Sequence, residues 1–178
     1  MPLLTQDERN LLGPLINPFG RNQRKPAEER MLKVGESDRS AFETLIHSGE
    51  NNGNPKQFEQ ITVDEIEILR NRSGKYPEKC FLWVIDDETI KIIKERNRNV
   101  LRTHKPEYVC HTNLTGGGQA YIGGEIYFCV DGTKYISPSS DRYGDPSPEQ
   151  WEAAKLYFIK VGYTPLIDII EFFTSNHI

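Results

Sequence analysis

The stretch "AYIGGEIYFCVDGTKYIS", residues 120–137, decides how the chain folds. Aromatic and β-branched residues flank an Asp-Gly pair, the strongest short-range signal for a hairpin with a two-residue type I′ turn. Such a turn at Asp131-Gly132 sets the register of the two strands: Phe128 faces Tyr135, Tyr127 faces Ile136, and Glu125 falls opposite Pro138. Both faces of this hairpin are mostly apolar, so the sequence predicts a sheet that is covered on both sides.

Two further strands are expected upstream of the hairpin. The run "CFLWVI" (80–85) is short and continuously apolar, which is typical of a buried strand, and "PEYVCHTNL" (106–114) is rich in β-forming residues. The sequence therefore predicts an α+β fold with a central, mainly antiparallel sheet covered by N- and C-terminal helices. The strands are expected near residues 80–85, 107–113, 120–130 and 133–138.

Helices are expected in the rest of the chain. Three capping boxes mark helix starts: Thr5 with Glu8, Thr62 with Glu65, and Ser147 with Gln150. Apolar residues at helical spacing predict helices in "SDRSAFETLIH" (37–47), "DETIKIIKERNRNVL" (87–101) and "TPLIDIIEFF" (164–173). We expect one domain over residues 1–178, divided into a mainly helical part (1–75), the sheet with the candidate site (76–143), and C-terminal helices (144–178).

The composition excludes several classes of protein. A chain of 178 residues that is 37% hydrophobic can bury an independent core, and its net charge of −4 gives no overall attraction to nucleic acid. The three cysteines include no C-x-x-C pair, which disfavours a disulfide framework or a zinc knuckle, and no residues are spaced for a metal site around His111. Without a signal-like start or about 20 consecutive apolar residues, a cytoplasmic protein with no membrane contact is expected.

Two residues carry the candidate chemistry. His111 is expected at a strand end beside a glycine-rich turn, where catalytic residues often lie. Glu125 follows Gly123 and Gly124, and such a pair inside a strand marks a place where a ligand or another backbone comes close. A half-buried Glu125 tends toward a raised pKa and can then act as a general acid or base. The alternatives are a histidine hydrogen-bonded at a strand end and a glutamate paired with Arg142.

An anion-binding role is predicted on both sides of the hairpin. The "TGGG" turn, formed by Thr115, Gly116, Gly117 and Gly118, offers backbone N–H groups to a phosphate or carboxylate. Downstream, "SPSSDRYG" (137–144) returns toward these glycines, so that Arg142 can clamp a phosphate while Tyr143 stacks on a ring. The alternatives are a simple glycine-rich connection and a polar loop whose tyrosine covers the core.

A run of basic residues precedes His111. It consists of Lys91, Lys94, Arg96, Arg98, Arg102 and Lys105, against the single acid Glu95. A solvated helix face explains such a run, and an anionic ligand or an RNA backbone bound along it is the functional alternative.

The segment from His111 to Tyr143 resembles a known pattern. Its order of "HTNL", "GGE", "DG" and "SSDRY" is similar to that of C-terminal modules of bacterial toxin and effector proteins, over about a fifth of the chain. The resemblance implies that His111, Glu125, Arg142 and Tyr143 form one constellation in a bacterial or phage setting. The strand "AYIGGEIYF" is also similar to the tyrosine-rich strands of ADP-ribosyltransferases, although the order of histidine, tyrosine and late glutamate departs from that family.

Two functions from different classes fit these residues. The first is a small enzyme acting on a nucleotide-like or phosphorylated substrate, with His111 and Glu125 as acid/base groups and the "TGGG" turn, Arg142 and Tyr143 as ligand-binding groups. The second is a binding or interaction module, such as an immunity, adaptor or ligand-sequestering protein, that uses the same pocket without chemistry. Neither interpretation specifies a cofactor.

Overall fold

The computed structural model describes residues 3–19, 55, 57–69, 76, 78–95 and 111–175. Within these ranges the helices are α1 (Gln6–Leu12), α2 (Val63–Leu69), α3 (His111–Thr115), α4 (Pro148–Lys160) and α5 (Ile169–Ser175), with a 3₁₀ turn at Gln57–Glu59. The strands are β1 (Phe81–Ile85), β2 (Ile90–Lys94), β3 (Ile122–Phe128), β4 (Lys134–Ser137) and β5 (Leu166–Asp168).

The strands form one five-stranded sheet in the order β2-β1-β3-β4-β5. Three neighbouring pairs are antiparallel, and β4 and β5 are parallel. The predicted α+β fold with a mainly antiparallel sheet is therefore confirmed, as are the strands expected near 80–85, 120–130 and 133–138. Of the strand expected near 107–113, residues 107–110 lie outside the described residues, whereas His111 to Asn113 belong to helix α3.

The β3–β4 hairpin has a longer loop than its Asp-Gly pair predicts. The Cys129 N–H donates to Thr133 O at 2.8 Å, and the Gly132 N–H donates to Cys129 O at 3.0 Å. Gly132 has a φ of 92°, so the loop contains three residues and ends in a left-handed glycine. The extra residue shifts the predicted register by one, and the observed pairs are Tyr127 with Tyr135, Ile126 with Ile136, and Glu125 with Ser137.

Strand β2 replaces the start of the helix predicted over residues 87–101. It pairs with β1 from Ile85 opposite Ile90 to Phe81 opposite Lys94. The Asp86 side chain accepts the Thr89 N–H at 2.9 Å and closes a turn between the strands. Cross-strand pairing therefore overrides the helical spacing of the isoleucines. The part of this prediction beyond residue 95, including Val100, lies outside the described residues.

Each face of the sheet packs against its own set of helices. The Trp83 face carries Trp83, Ile85, Ile126 and Ile136, and it packs against Leu12 of α1 and Tyr157 and Phe158 of α4. The opposite face, here named the Glu125 face, carries Leu82, Val84, Ile93, Tyr127 and Tyr135, and residues from α2, α3 and α5 cover it. Because side chains alternate along a strand, Glu125 shares this second face with Tyr127. The predicted covering of both faces is confirmed.

All three predicted capping boxes are present. In the first, the Thr5 N–H donates to Glu8 Oε1 at 2.8 Å, and the same carboxylate accepts from Lys160 at 2.7 Å, which ties α1 to α4. The helix expected over 164–173 is only partly correct, because residues Leu166–Asp168 form β5 before α5 begins. The helix expected over 37–47 lies outside the described residues.

Candidate functional site

The two glycines of "GGE" let other parts of the protein approach strand β3 from both faces. A Cβ at Gly124 would lie 2.7 Å from Trp83 Cε2 on one face and would collide with the Ser137 carbonyl. A Cβ at Gly123 would lie 3.2 Å from both the His111 ring and the Ser140 hydroxyl. The glycine pair was predicted to mark a close approach, and the approaching groups are an indole ring, an imidazole ring, a serine hydroxyl and backbone.

His111 opens helix α3 and points onto this double glycine. Its Nε2–H donates to the Gly124 carbonyl at 2.7 Å, and the residue is 7% exposed. Burial lowers the pKa of His111 to about 4, so the ring is neutral at pH 7. His111 belongs to a helix, the residues of the strand expected before it lie outside the described residues, and the hydrogen bond expected in the structural alternative is present.

Glu125 has no cationic partner among the described residues. The alternative pairing with Arg142 is absent there, and the Arg142 Nη1–H donates to the Phe19 carbonyl at 2.9 Å. Burial, followed by the nearby charge of Glu95, raises the pKa of Glu125 to about 7. The exposed Asp141 acts in the same direction, while a hydrogen bond from the Cys80 thiol opposes them.

Glu125 and three residues around it form what we name the carboxyl cluster: Cys80, Glu95, Glu125 and Tyr127. The Glu95 N–H donates to the Cys80 carbonyl at 2.9 Å, which places Glu95 beside β1. Glu125 lies opposite Leu82 of β1, two residues from Cys80, so the side chains of the four cluster residues project from the Glu125 face. Burial raises the pKa of Cys80, Glu95 and Tyr127, so the thiol and the phenol stay protonated at neutral pH.

The "TGGG" turn closes helix α3. The Gly117 N–H donates to the Thr112 carbonyl at 3.1 Å, and the Gly118 N–H donates to the Thr115 carbonyl at 3.1 Å. These donors cap the carbonyl end of a helix, where an anion is disfavoured. The anion nest predicted for Thr115 to Gly118 is therefore not formed by these two N–H groups.

Tyr143 fastens the same turn to the loop after β4. Its ring is 1% exposed, and its hydroxyl donates to the Gly118 carbonyl at 2.6 Å and hydrogen-bonds Thr115 Oγ1 at 2.8 Å. A stacking surface for a ligand requires an exposed ring, so the predicted stacking role is wrong for this conformation. The alternative, in which the tyrosine covers the core, is confirmed.

The Tyr143→Phe variant tests this fastening. Removing the hydroxyl leaves the buried Gly118 carbonyl without this donor, so the free energy of unfolding is expected to fall by about 1–2 kcal/mol. Tyr163→Phe is the matched control, because Tyr163 is 4% exposed and its hydroxyl makes no hydrogen bond within the described residues. Urea unfolding followed by fluorescence measures both, and equal losses would contradict the structural role of Tyr143.

The described part of the basic run is already paired with carboxylates. Lys91 lies 2.6 Å from Asp86, and Lys94 lies 2.9 Å from Glu59. Both lysines belong to strand β2 and not to the expected helix. Arg96, Arg98, Arg102 and Lys105 lie outside the described residues, so binding of an anion or RNA along this run stays a prediction.

The structure brings His111, Gly123 and Ser140 together. The constellation of His111, Glu125, Arg142 and Tyr143 that the resemblance implies stays a prediction. The structure adds Glu95 and Cys80, which sequence reasoning missed. For Glu95 the signal was the spacing of two between Lys91, Ile93 and Glu95. If "TIKIIKE" is a strand, this spacing places Glu95 on the same face as Ile93, the Glu125 face.

In the ranges that the structure describes, no group of three or more His, Cys, Asp or Glu side chains is arranged to hold a metal ion. No helix in those ranges is long and apolar enough to cross a bilayer.

Comparison with known proteins gives no family for this chain. No protein-family model matches it, and neither a curated protein nor a solved structure is significantly similar to it. The functional argument therefore depends on the carboxyl cluster and its surroundings.

Proposed function

We propose that the protein is a small enzyme that uses Glu125 as a general acid and base on a nucleotide-like substrate. One observation carries the proposal: the Glu125 carboxyl is half-buried beside a second acid, without a cation to pair with it among the described residues. With a pKa of about 7, comparable amounts of the acid and its conjugate base coexist at neutral pH. That balance suits proton transfer in either direction.

The surroundings indicate which part of a substrate binds here. Gly117, Gly118 and Arg142, which were expected to hold a phosphate, make internal hydrogen bonds. The two acids of the carboxyl cluster repel an anion. We therefore place an uncharged portion of the substrate against Glu125 and any phosphate away from it. The toxin- or effector-type setting implied by the segment from His111 to Tyr143 remains part of this proposal.

A mass-spectrometric turnover screen tests the proposal. The wild type, Glu125→Gln and the control Glu149→Gln are incubated with NAD, nucleoside triphosphates, cyclic nucleotides, nucleosides and short RNA. Glu149 is an exposed glutamate in the first turn of α4, so its change leaves the carboxyl cluster intact. A product is expected from the wild type and the control, with its rate reduced about 10²–10⁴-fold in Glu125→Gln.

A binding module is the second candidate, and a specific observation favours it. The side chains of His111, Arg142 and Tyr143 all hydrogen-bond to backbone carbonyls, so they hold loops together instead of meeting a ligand. This candidate predicts unaltered substrates throughout the screen and a melting temperature raised by one ligand. A rate in Glu125→Gln equal to that of the wild type would reject Glu125 as the acid.

A further inference from the structure

Ser137, on strand β4, is a buried polar residue whose hydroxyl has no partner in the described part of the chain. The residue is 6% exposed, and its hydroxyl makes no hydrogen bond with any residue described. Among those residues only the Thr112 hydroxyl is both fully enclosed and unpaired, so the Ser137 hydroxyl can be reached from outside. Buried hydroxyls are nearly always hydrogen-bonded, so this one is suited to a partner that binds from solution.

The register of the sheet places this hydroxyl beside the Glu125 carboxyl. Ser137 is paired with Glu125 across β3 and β4. Residues directly opposite each other in an antiparallel pair project from the same face, with their Cβ atoms about 4.5–5.5 Å apart. Glu125 is half-buried, so part of its side chain is accessible to the same ligand. The two residues therefore present a carboxyl and a hydroxyl side by side.

Neighbours on the Glu125 face surround this pair without adding positive charge. Leu82 lies opposite Glu125 on β1, and Tyr127 follows it two residues along β3. On the other side Gly123 has no side chain, and the His111 ring lies 3.2 Å from the place where its Cβ would be. Because none of these neighbours is a lysine or an arginine, the pair is unsuited to a phosphate.

A hydroxyl group of a ligand suits a carboxylate and a serine that lie side by side. It donates its proton to the carboxylate and accepts the serine proton at the same oxygen. An ammonium group only donates, so it would leave the serine proton without an acceptor. A phosphate or a carboxylate only accepts, and the charge of Glu125 would repel it. The chemistry of the pair therefore favours an uncharged compound with hydroxyl groups.

We infer that Ser137 and Glu125 together bind a hydroxyl group of the substrate, with Ser137 as the donor and Glu125 as the acceptor. This inference rests on the proposed function, in which an uncharged portion of the substrate meets Glu125. It names the chemical class of that portion, a sugar-like polyol, and a second residue that binds it. The hydroxyl held in this way is also the group from which the Glu125 carboxylate can take a proton.

Titration with D-ribose, followed in ¹H–¹⁵N NMR spectra of the wild type, tests the inference without any turnover. Ribose is expected to shift the amide signals of Glu125 and Ser137 until they saturate, whereas tetrahydrofuran, a five-membered ring ether without hydroxyl groups, should not. Ser137→Ala and Glu125→Gln should each weaken ribose binding at least about 3-fold, which corresponds to the loss of one hydrogen bond. Ser139→Ala is the matched control, because Ser139 is exposed in the loop after β4.

Three results of this titration would overturn the inference. The first is no saturable response to ribose, or an equal response to tetrahydrofuran. The second is equal ribose binding by Ser137→Ala and the wild type. The third is saturable binding of methylammonium or acetamide, lost in Ser137→Ala, in place of ribose, which would assign the pair to a cation or to an amide.

The stability of Ser137→Ala distinguishes a binding residue from a structural one. An unpaired hydroxyl does not stabilise the folded state, so the midpoint of urea unfolding is expected to equal or exceed that of the wild type. A clearly lower midpoint would show that the hydroxyl has a partner within the protein and would overturn its assignment to a ligand.

Failure of this inference and failure of the proposed function are distinguishable. Turnover that is lost in Glu125→Gln, together with ribose binding that Ser137→Ala leaves unchanged, would retain the general acid and base and reject the polyol site. Ribose binding that depends on both residues, without any turnover in the screen, would retain the polyol site and reject the enzyme.

Discussion

The Gly124→Ala variant is expected to lose about 3 kcal/mol or more of its free energy of unfolding. The new methyl group would lie 2.7 Å from Trp83 Cε2 and against the Ser137 carbonyl on strand β4. Neither neighbour can yield easily. The indole is buried, stacks on Trp151 at 6.2 Å and donates to the Glu125 carbonyl at 3.0 Å, while Ser137 is paired in the sheet.

Gly132→Ala is the matched control for this substitution. Gly132 also has a backbone role, with a φ of 92°, but a Cβ there meets no atom within 4 Å. Only the left-handed conformation is penalised, at roughly 1–2 kcal/mol. Urea unfolding followed by tryptophan fluorescence compares the two variants. A Gly124→Ala midpoint equal to that of Gly132→Ala would contradict the close packing of Trp83 on β3.

The fold could be predicted where local signals and pairing agree. The apolar run at 80–85 and the capping boxes needed no knowledge of distant residues, and they were correct. The hairpin loop was wrong by one residue, because an Asp-Gly pair can serve as the end of a three-residue loop as well as a two-residue turn. Strand β2 was missed because Ile90 and Ile93 fit a helical spacing, and only pairing with β1 decides between the two structures.

The candidate site could be predicted only in part, because local signals identify some of its residues while pairing between distant residues determines the others. Glu125 could be found from the unusual pair of glycines before it, which is a local signal. Its neighbour Glu95 could not be found, because it depends on a strand that the sequence pattern assigned to a helix. Tyr143 was correctly expected near the glycine-rich turn. The directions of the Arg142 and Tyr143 side chains depend on hydrogen bonds to Phe19 and Gly118, which are distant in sequence.

The stability of the wild type should depend on two buried groups that respond to pH in opposite directions. Burial and the Glu95 charge raise the pKa of Glu125 from 4.5 to about 7. The folded protein therefore keeps a proton that the unfolded chain releases, and stability is lost as the pH rises from 4.5 through 7. Burial lowers the pKa of His111 from 6.5 to about 4, so stability is lost as the pH falls from 6.5 through 4.

Substituting each group separates the two contributions. Between pH 4.5 and pH 8, the unfolding free energy of Glu125→Gln should rise by roughly 3 kcal/mol relative to that of the wild type, because the penalty for ionising a buried acid is removed. His111→Gln, which loses packing, should be less stable at neutral pH but should lose less stability on acidification. Urea titrations at half-unit pH steps measure these profiles, and Glu149→Gln should follow the wild type throughout. Parallel profiles for the wild type and Glu125→Gln would show that Glu125 ionises at its ordinary pKa, which would remove the observation that supports it as the acid.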